Sequence, residues 1–228
     1  LAITGQPRRR RIVINADAYI SGATSDVPVL VKFDSTSHPD LFATGDDGDS
    51  VWFSTDAGGQ TTLYHENTVF SATDAIFYVK VDLSSTADTV IYFWYGLPAI
   101  TGTESKANVW TNGFRIFHFE GNANDSSSNA ANGSSSGTTF GTDYDNGQGG
   151  QGAYFNGDDY ISLGTVSFPA SFTIMVWAKN ASKSSSGAFT LWDFNDNSST
   201  VCYLRNPEYA YGGSSPFYAD TFGALLDG

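Results

Sequence analysis

Hydrophobic and polar positions alternate with period two along most of the chain. In DVPVLVKFD (26–34), Val29, Val31 and Phe33 share one face against Leu30 and Lys32. In AIFYVKVDL (75–83), Phe77, Val79, Val81 and Leu83 oppose Tyr78, Lys80 and Asp82. In SFTIMVWAK (171–179), Phe172, Ile174, Val176 and Ala178 oppose Thr173, Met175, Trp177 and Lys179. Successive side chains of a strand point to opposite faces, so each segment predicts a half-buried strand. GFRIFHFEG (113–121) predicts another. TVIYFWYG (89–96) is apolar but has strand length, too short to span a membrane as a helix.

Turn-forming clusters separate these segments: TGDDGDS (44–50), DAGG (56–59) and STAD (85–88). No segment carries a helical stripe longer than a turn or two. The pattern predicts an all-β fold of two β-sandwich domains, 1–105 and 106–228, with the boundary in ITGTESKAN (100–108). NANDSSSNAANGSSSG (122–137) has linker composition. It reads as a long exposed loop within the second domain, because the strand predicted before it needs partners.

Composition sharpens this picture. An apolar content of 40% with 15% aromatics excludes a disordered chain. The formal net charge of -13 would repel a phosphate backbone, which argues against a nucleic-acid partner. The one basic run, PRRRR (7–11), reads as a solvated lead-in to the first strand rather than an anion-binding arm. A single cysteine, Cys202, excludes a disulfide framework within the chain, and its apolar context TVCYL reads as a buried small hydrophobe.

Several motifs suggest chemistry and fail on context. Gly147, Gly149 and Gly152 fit the G-x-G-x-x-G dinucleotide fingerprint. The preceding GTDYD is too polar for the buried strand that loop requires, and the following AYFNGDDYISLG predicts strands, not a helix. GSSSG (133–137) matches a nucleophile elbow at Ser135, yet His38, His65 and His118 all precede it, and the run reads as a loop. Glu66, Glu104, Glu120 and Glu208 have no acidic partner at the spacing of a one-strand glycosidase pair. Asp158 and Asp159 point to opposite faces if they lie on a strand. DYDNG (143–147) falls one position short of a calcium loop, and Asp125, Asp158 and Asp159 are candidate calcium ligands from adjacent loops. The alternative for those aspartates is turn capping.

GFRIFHFEGNANDSSSNAANG, GQGGQGAYFNGDDYISLG and SFPASFTIMVWAKN together resemble the first half of a laminin-G-like, concanavalin-A-type jelly-roll module. The resemblance lies in Gly149, Gly152, Ala153, Phe155, Gly157, Tyr160, Ile161, Gly164, Ser171, Phe172, Thr173 and Trp177. The segment from RRRRIVI to VIYFWYG is similar to a β-rich domain of unknown function that precedes such modules in bacterial, archaeal and phage surface proteins. A complete module would continue past Gly228. The resemblance therefore implies a longer protein, or an open sheet covered by a copy or another subunit.

These resemblances imply a non-catalytic, extracellular structural or adhesion protein, either a virion component (capsid decoration or tail appendage) or part of a cell-surface assembly. The expected partners are copies of itself, other subunits of the assembly, or cell-surface glycans. A glycan-binding module of a larger protein is the alternative, and a glycoside hydrolase a more distant one. Jelly rolls bind sugars by stacking them on aromatics, which makes Tyr144, Tyr154, Tyr160 and Trp192 the candidate contacts. Calcium is the one candidate cofactor, and no membrane insertion is expected.

Overall fold

Two of the alternating segments become the long strands on which the fold is built. In the computed structural model they are β2 (Thr24–Asp34) and β6 (Asp74–Leu83). The structure describes residues 8–43, 48, 50–96, 104–141, 151–155, 159–167 and 171–177, and the backbone of 190–195 and 200–205. It divides into two compact units, Leu1–Ser167 and Phe168–Gly228, so described residues on both sides of position 105 belong to one unit.

In the first unit, β6 pairs antiparallel with β2 on one side and with β5 (His65–Phe70) on the other, giving the order β2-β6-β5. The register places Val31 opposite Phe77 and Val29 opposite Val79, so the apolar faces of both strands coincide. A second sheet has the order β1-β7-β3-β4, from β1 (Arg8–Ile14), β7 (Thr89–Tyr95), β3 (Trp52–Ser54) and β4 (Thr62–Leu63). The sheets face each other through an aromatic core. Phe33 stacks on Phe93 with centroids 4.6 Å apart, and Phe77 lies edge-on to Phe53 at 5.4 Å. Ile91, Val79, Val81 and Leu41, from the one-turn helix α1 (Pro39–Phe42), complete it. The first unit is an all-β sandwich, and the described elements of the whole chain make it all-β.

The arginine run is not a lead-in; it is part of the edge strand β1. Register with β7 sends Arg10 toward the core side and Arg9 and Arg11 outward. Arg10 pairs with Asp40, whose second oxygen accepts the Tyr95 hydroxyl at 2.5 Å. Arg9 donates to the Ala57 carbonyl and lies over the Trp94 and Tyr92 rings. Trp94 stacks on Trp52 at 5.4 Å and 6°, and its Nε1 donates to Ser54 Oγ. This indole pair is buried although it lies outside the core, because the DAGG turn folds over it. Asp56 gathers the N–H groups of Gly58, Gln60 and Thr61. Gly59 sits at φ +72°, a conformation that favours glycine, and a Cβ there would crowd Trp94 at 3.1 Å. Charged β1 and Pro28 in β2 blunt two sheet edges.

His65 occupies the core between Phe53 and Phe77, and neither ring nitrogen has a partner with hydrogen-bond geometry. Burial lowers its pKa to about 4, against a smaller opposing effect of the Leu63 carbonyl. The folded value lies below the unfolded one near 6.5, so the stabilising effect of neutral His65 is complete above pH 6.5. It is lost as pH falls through about 4. The difference amounts to about 3 kcal/mol across that window. Comparing His65→Leu with the wild type in urea unfolding at pH 7 and pH 4 should show a shallower acid loss in the variant. Parallel losses would assign the acid sensitivity to other groups.

Several expectations are corrected by the described residues of 104–177. The stretch 113–121 is not a strand; it is an extended segment with one bridge, Phe117 to Asp125, and Phe119 at φ +60° interrupts any ladder. GSSSG is not a loop: Ser134–Ser136 is β8 and pairs with β11 (Tyr160–Ser162). β9 (Thr139–Gly141) pairs with β10 (Gly152–Tyr154). Residues 152–154 and 160–162 are thus strands, as expected for the segment after the fingerprint; Gly147 and Gly149 lie outside the described residues. The run 122–137 is not wholly exposed, because Ala123, Asp125, Ser126 and Ser127 are buried.

In the second unit, 171–177 forms no strand, and Met175 and Trp177 are more than 80% exposed while Phe172 and Val176 are about half exposed. The alternation survives there as unequal exposure, but no described strand pairs with the segment. β12 (Thr190–Asn195) and β13 (Thr200–Arg205) form an antiparallel hairpin with two register irregularities.

Candidate functional site

Glu66 is the centre of a buried polar cluster that joins β5 to the chain after β7. It stands on β5 directly opposite Tyr78 of β6, on the sheet face turned away from the aromatic core. A carboxylate there would ordinarily face water. Here the chain after β7 returns across that face as a third layer. The one-turn helix α2 (Lys106–Val109) anchors it through buried Val109, and the backbone N–H of Ser105 donates to the His65 carbonyl.

Three side chains of this layer converge on Glu66. Trp110 Nε1 donates to Oε2 at 2.5 Å, Ser126 Oγ donates to Oε1 at 2.6 Å, and His118 Nε2 lies 3.1 Å from Oε2. The Tyr78 ring packs against both Trp110 and His118, each at 4.9 Å. Burial pushes the Glu66 pKa up, but His118, Ser126 and Trp110 outweigh it, and the carboxyl ends below its ordinary value. Burial, together with the negative charges of Glu66 and Glu120, raises the Tyr78 pKa.

Ser, His and Glu together suggest a hydrolytic triad, yet the order is wrong. A nucleophilic serine gives its proton to histidine, which a carboxylate orients from behind. Here the carboxylate sits in the middle, and Ser126 and His118 bond to opposite oxygens of Glu66. An ionised carboxyl with a lowered pKa is no proton donor, and one already accepting several hydrogen bonds is a poor base. The arrangement is suited to pinning residues 104–127 onto the sheet.

Asp125 organises the loop that delivers Ser126. Its carboxylate is fully buried and accepts from the N–H groups of Ile116, Ser127 and Ala131 and from Ser127 Oγ, with Arg115 at 3.5 Å. Burial opposes ionisation, but these hydrogen bonds hold the pKa below the usual range. Asn132 Oδ1 in turn accepts the Asp125 N–H. A cation at Asp125 would meet the positive ends of these N–H and O–H dipoles and the Arg115 guanidinium, so this residue does not fit a calcium ligand. Asp159 lies against Gly137, where its Oδ1 would be 2.0 Å from an added Cβ, and Asp158 lies outside the described residues. Among the described residues, no group of three or more His, Cys, Asp and Glu side chains is placed to hold a metal ion.

Of the aromatics expected to stack sugars, Tyr154 is half-buried in β10 and Tyr160 is 57% exposed on β11. They stand on separate two-stranded ladders. Trp192 pairs with Leu204 along the β12–β13 backbone, and Tyr144 lies outside the described residues. In the sequence Glu66 is an unpaired carboxylate and His118 a residue preceding Ser135, and nothing local joins them. The cluster's members come from positions 66, 78, 110, 118 and 126, and no local spacing links them.

Beside the cluster, Glu66, His118 and Ser126 form the floor of an open cleft of about 230 Å³. Asn67 and Thr68 of β5, Lys106, Phe119, Glu120 and Asn124 also line it.

The fold and this cluster define an all-β sandwich carrying a pinned third layer. Comparison with protein-family models, curated proteins and solved structures found no match. Among the described residues, no helix is long and apolar enough to cross a membrane.

Proposed function

We propose that the chain is a non-catalytic structural or adhesion component of an extracellular surface assembly, on a virion or a cell. The observation that carries this reading is the use of the polar groups. Glu66, His118 and Ser126, which in another order would be catalytic, are committed to one another, and Asp125 is committed to its own loop. Arg9 and Arg10 are likewise spent on internal contacts. Such a protein spends its polar side chains on rigidity and presents a solvated, acidic exterior. The resemblance to surface-protein domains points the same way.

Light scattering on the purified full chain should give a mass above that of one chain, rising with concentration. A panel of oligosaccharides incubated with the same sample should release no reducing sugar. A chain that stays monomeric at every concentration would count against assembly. Release of sugar that Glu66→Gln abolishes would overturn the non-catalytic reading.

A further inference from the structure

Sheet edges, where backbone groups lie open to a further strand, are protected unequally in the sandwich. The edge strands are β1 and β4 of one sheet and β2 and β5 of the other. β4 is two residues long. Pro28 and a register irregularity between Thr24 and Val27 interrupt β2. β5 is met at His65 by a bridge to Glu104 and by the Ser105 N–H. β1, by contrast, runs through seven residues without a break in its register with β7. No backbone hydrogen bond joins it to a described residue outside β7. An edge of this length presents its alternate N–H and C=O groups to any strand that can reach them.

The two faces of that edge define what would pair with it. Ile12 and Ile14 turn inward and pack against the core, yet they are only half-buried. Arg9, Arg11 and Val13 point outward beside Trp94, Tyr92 and Val90 of β7. Arg10 is neutralised by Asp40, and Arg9 is held over the Tyr92 and Trp94 rings. Arg11 is exposed, and no hydrogen bond, ion pair or ring contact joins it to a described residue.

Charge then selects the partner. Four of the chain's 11 lysines and arginines stand side by side in β1, on a protein of net charge -13. The β1 of a second copy would bring two arginine runs together, so the edge repels its own kind. A strand with carboxylates beside Arg9 and Arg11 is attracted instead, since opposite charges across a ladder stabilise it. Where the same strand meets Ile12 and Ile14 it needs apolar side chains, which would extend the core by one strand.

We propose that β1 receives an extended segment of a partner protein as a further antiparallel strand. That segment is apolar where it meets Ile12 and Ile14 and acidic where it meets Arg9 and Arg11. Each ladder of this sheet is antiparallel, so the added strand continues the geometry already present. The inference rests on the reading that the chain works by association, and it names the partner's chemistry at one edge.

The probe is a capped peptide, Thr-Val-Thr-Val-Glu-Thr-Glu-Thr, titrated into the isotope-labelled full chain and followed by amide NMR. In antiparallel register its valines meet Ile14 and Ile12, and its glutamates meet Arg11 and Arg9. Amide shifts should centre on residues 8–14, with Kd on the order of 0.1 mM. Arg11→Glu, a change at an exposed position, should weaken binding about tenfold and leave the rest of the spectrum in place. A peptide with lysines for glutamates should bind Arg11→Glu more tightly than it binds the wild type. Two further peptides, N-methylated on one or the other set of alternate residues, keep the charges but each lose one pairing side. One of them should fail to bind. No shift at β1, shifts centred elsewhere, equal binding of both methylated peptides, or binding indifferent to Arg11→Glu would each overturn the proposal. Failure of the underlying reading looks different: sugar would be released from the oligosaccharide panel, with or without Arg11→Glu.

Discussion

Phe77→Ala should remove about 3–5 kcal/mol of stability, a large part of the roughly 5–15 kcal/mol that holds a domain folded. Phe77 is fully buried at the middle of β6 and touches the rings of Phe33, Phe53, His65, Phe70 and Phe93. It therefore ties both sheets together, and its removal leaves a cavity that the strand backbones on either side cannot collapse to fill. Urea unfolding followed by tryptophan fluorescence should show the midpoint fall steeply, or a chain already partly unfolded without denaturant. Phe77→Leu, which keeps most of the volume, should lose less than half as much. If Phe77→Ala loses under about 1 kcal/mol, the two sheets do not share this core.

The second large effect is expected at Glu66. Glu66→Ala leaves the Trp110 indole N–H and the Ser126 hydroxyl without their acceptor and removes the carboxylate oxygen that His118 Nε2 faces. Leaving buried donors unpaired in this way costs about 1–3 kcal/mol for each. The loss should be local as well as global. Hydrogen exchange of residues 104–127 should accelerate well before that of β6 and β7, since the pin acts on the third layer and not on the aromatic core. Glu66→Gln is nearly isosteric but can present its amide N–H₂ to a donor, so it should recover only part of the loss.

The pH dependence has a definite sign. The folded pKa of Glu66 lies below its ordinary value, so its contribution is complete above that value. It is lost as pH falls through the depressed one. Unchanged exchange in 104–127 for Glu66→Ala would remove the pin from the account.

How much of this could be read in the residues differs between elements. β2 and β6 were legible because strand alternation is a local property. Val29, Val31 and Phe33 face inward, as do Phe77, Val79 and Val81, and the alternate positions face away from the core. Residues 113–121 carry the same alternation and are not a strand. His118 is drawn to Glu66 and Phe119 takes a left-handed conformation, and a tertiary contact outweighs a weak local preference there. The SSS of 134–136 has no alternation at all and is a strand, because Tyr160–Ser162 offers it a pairing edge. The aspartates of the Ser/Asn run looked like turn chemistry or metal ligands, and Asp125 does organise a loop, though from a fully buried position.

The sequence by itself determined the all-β class, the inward faces of the long strands, the acidic exterior and the failure of the glycine fingerprint. Each follows from neighbours a few residues apart, where backbone geometry sets the period of side-chain direction. Only the tertiary structure decided that Glu66 is a pin, that Asp125 is a buried brace, and that a polar cleft opens between β5 and the returning chain. Those depend on bringing residues 44, 52 and 60 positions away to Glu66. Chain closure over such lengths leaves no period in the sequence, because any spacing that reaches the same point in space serves equally well.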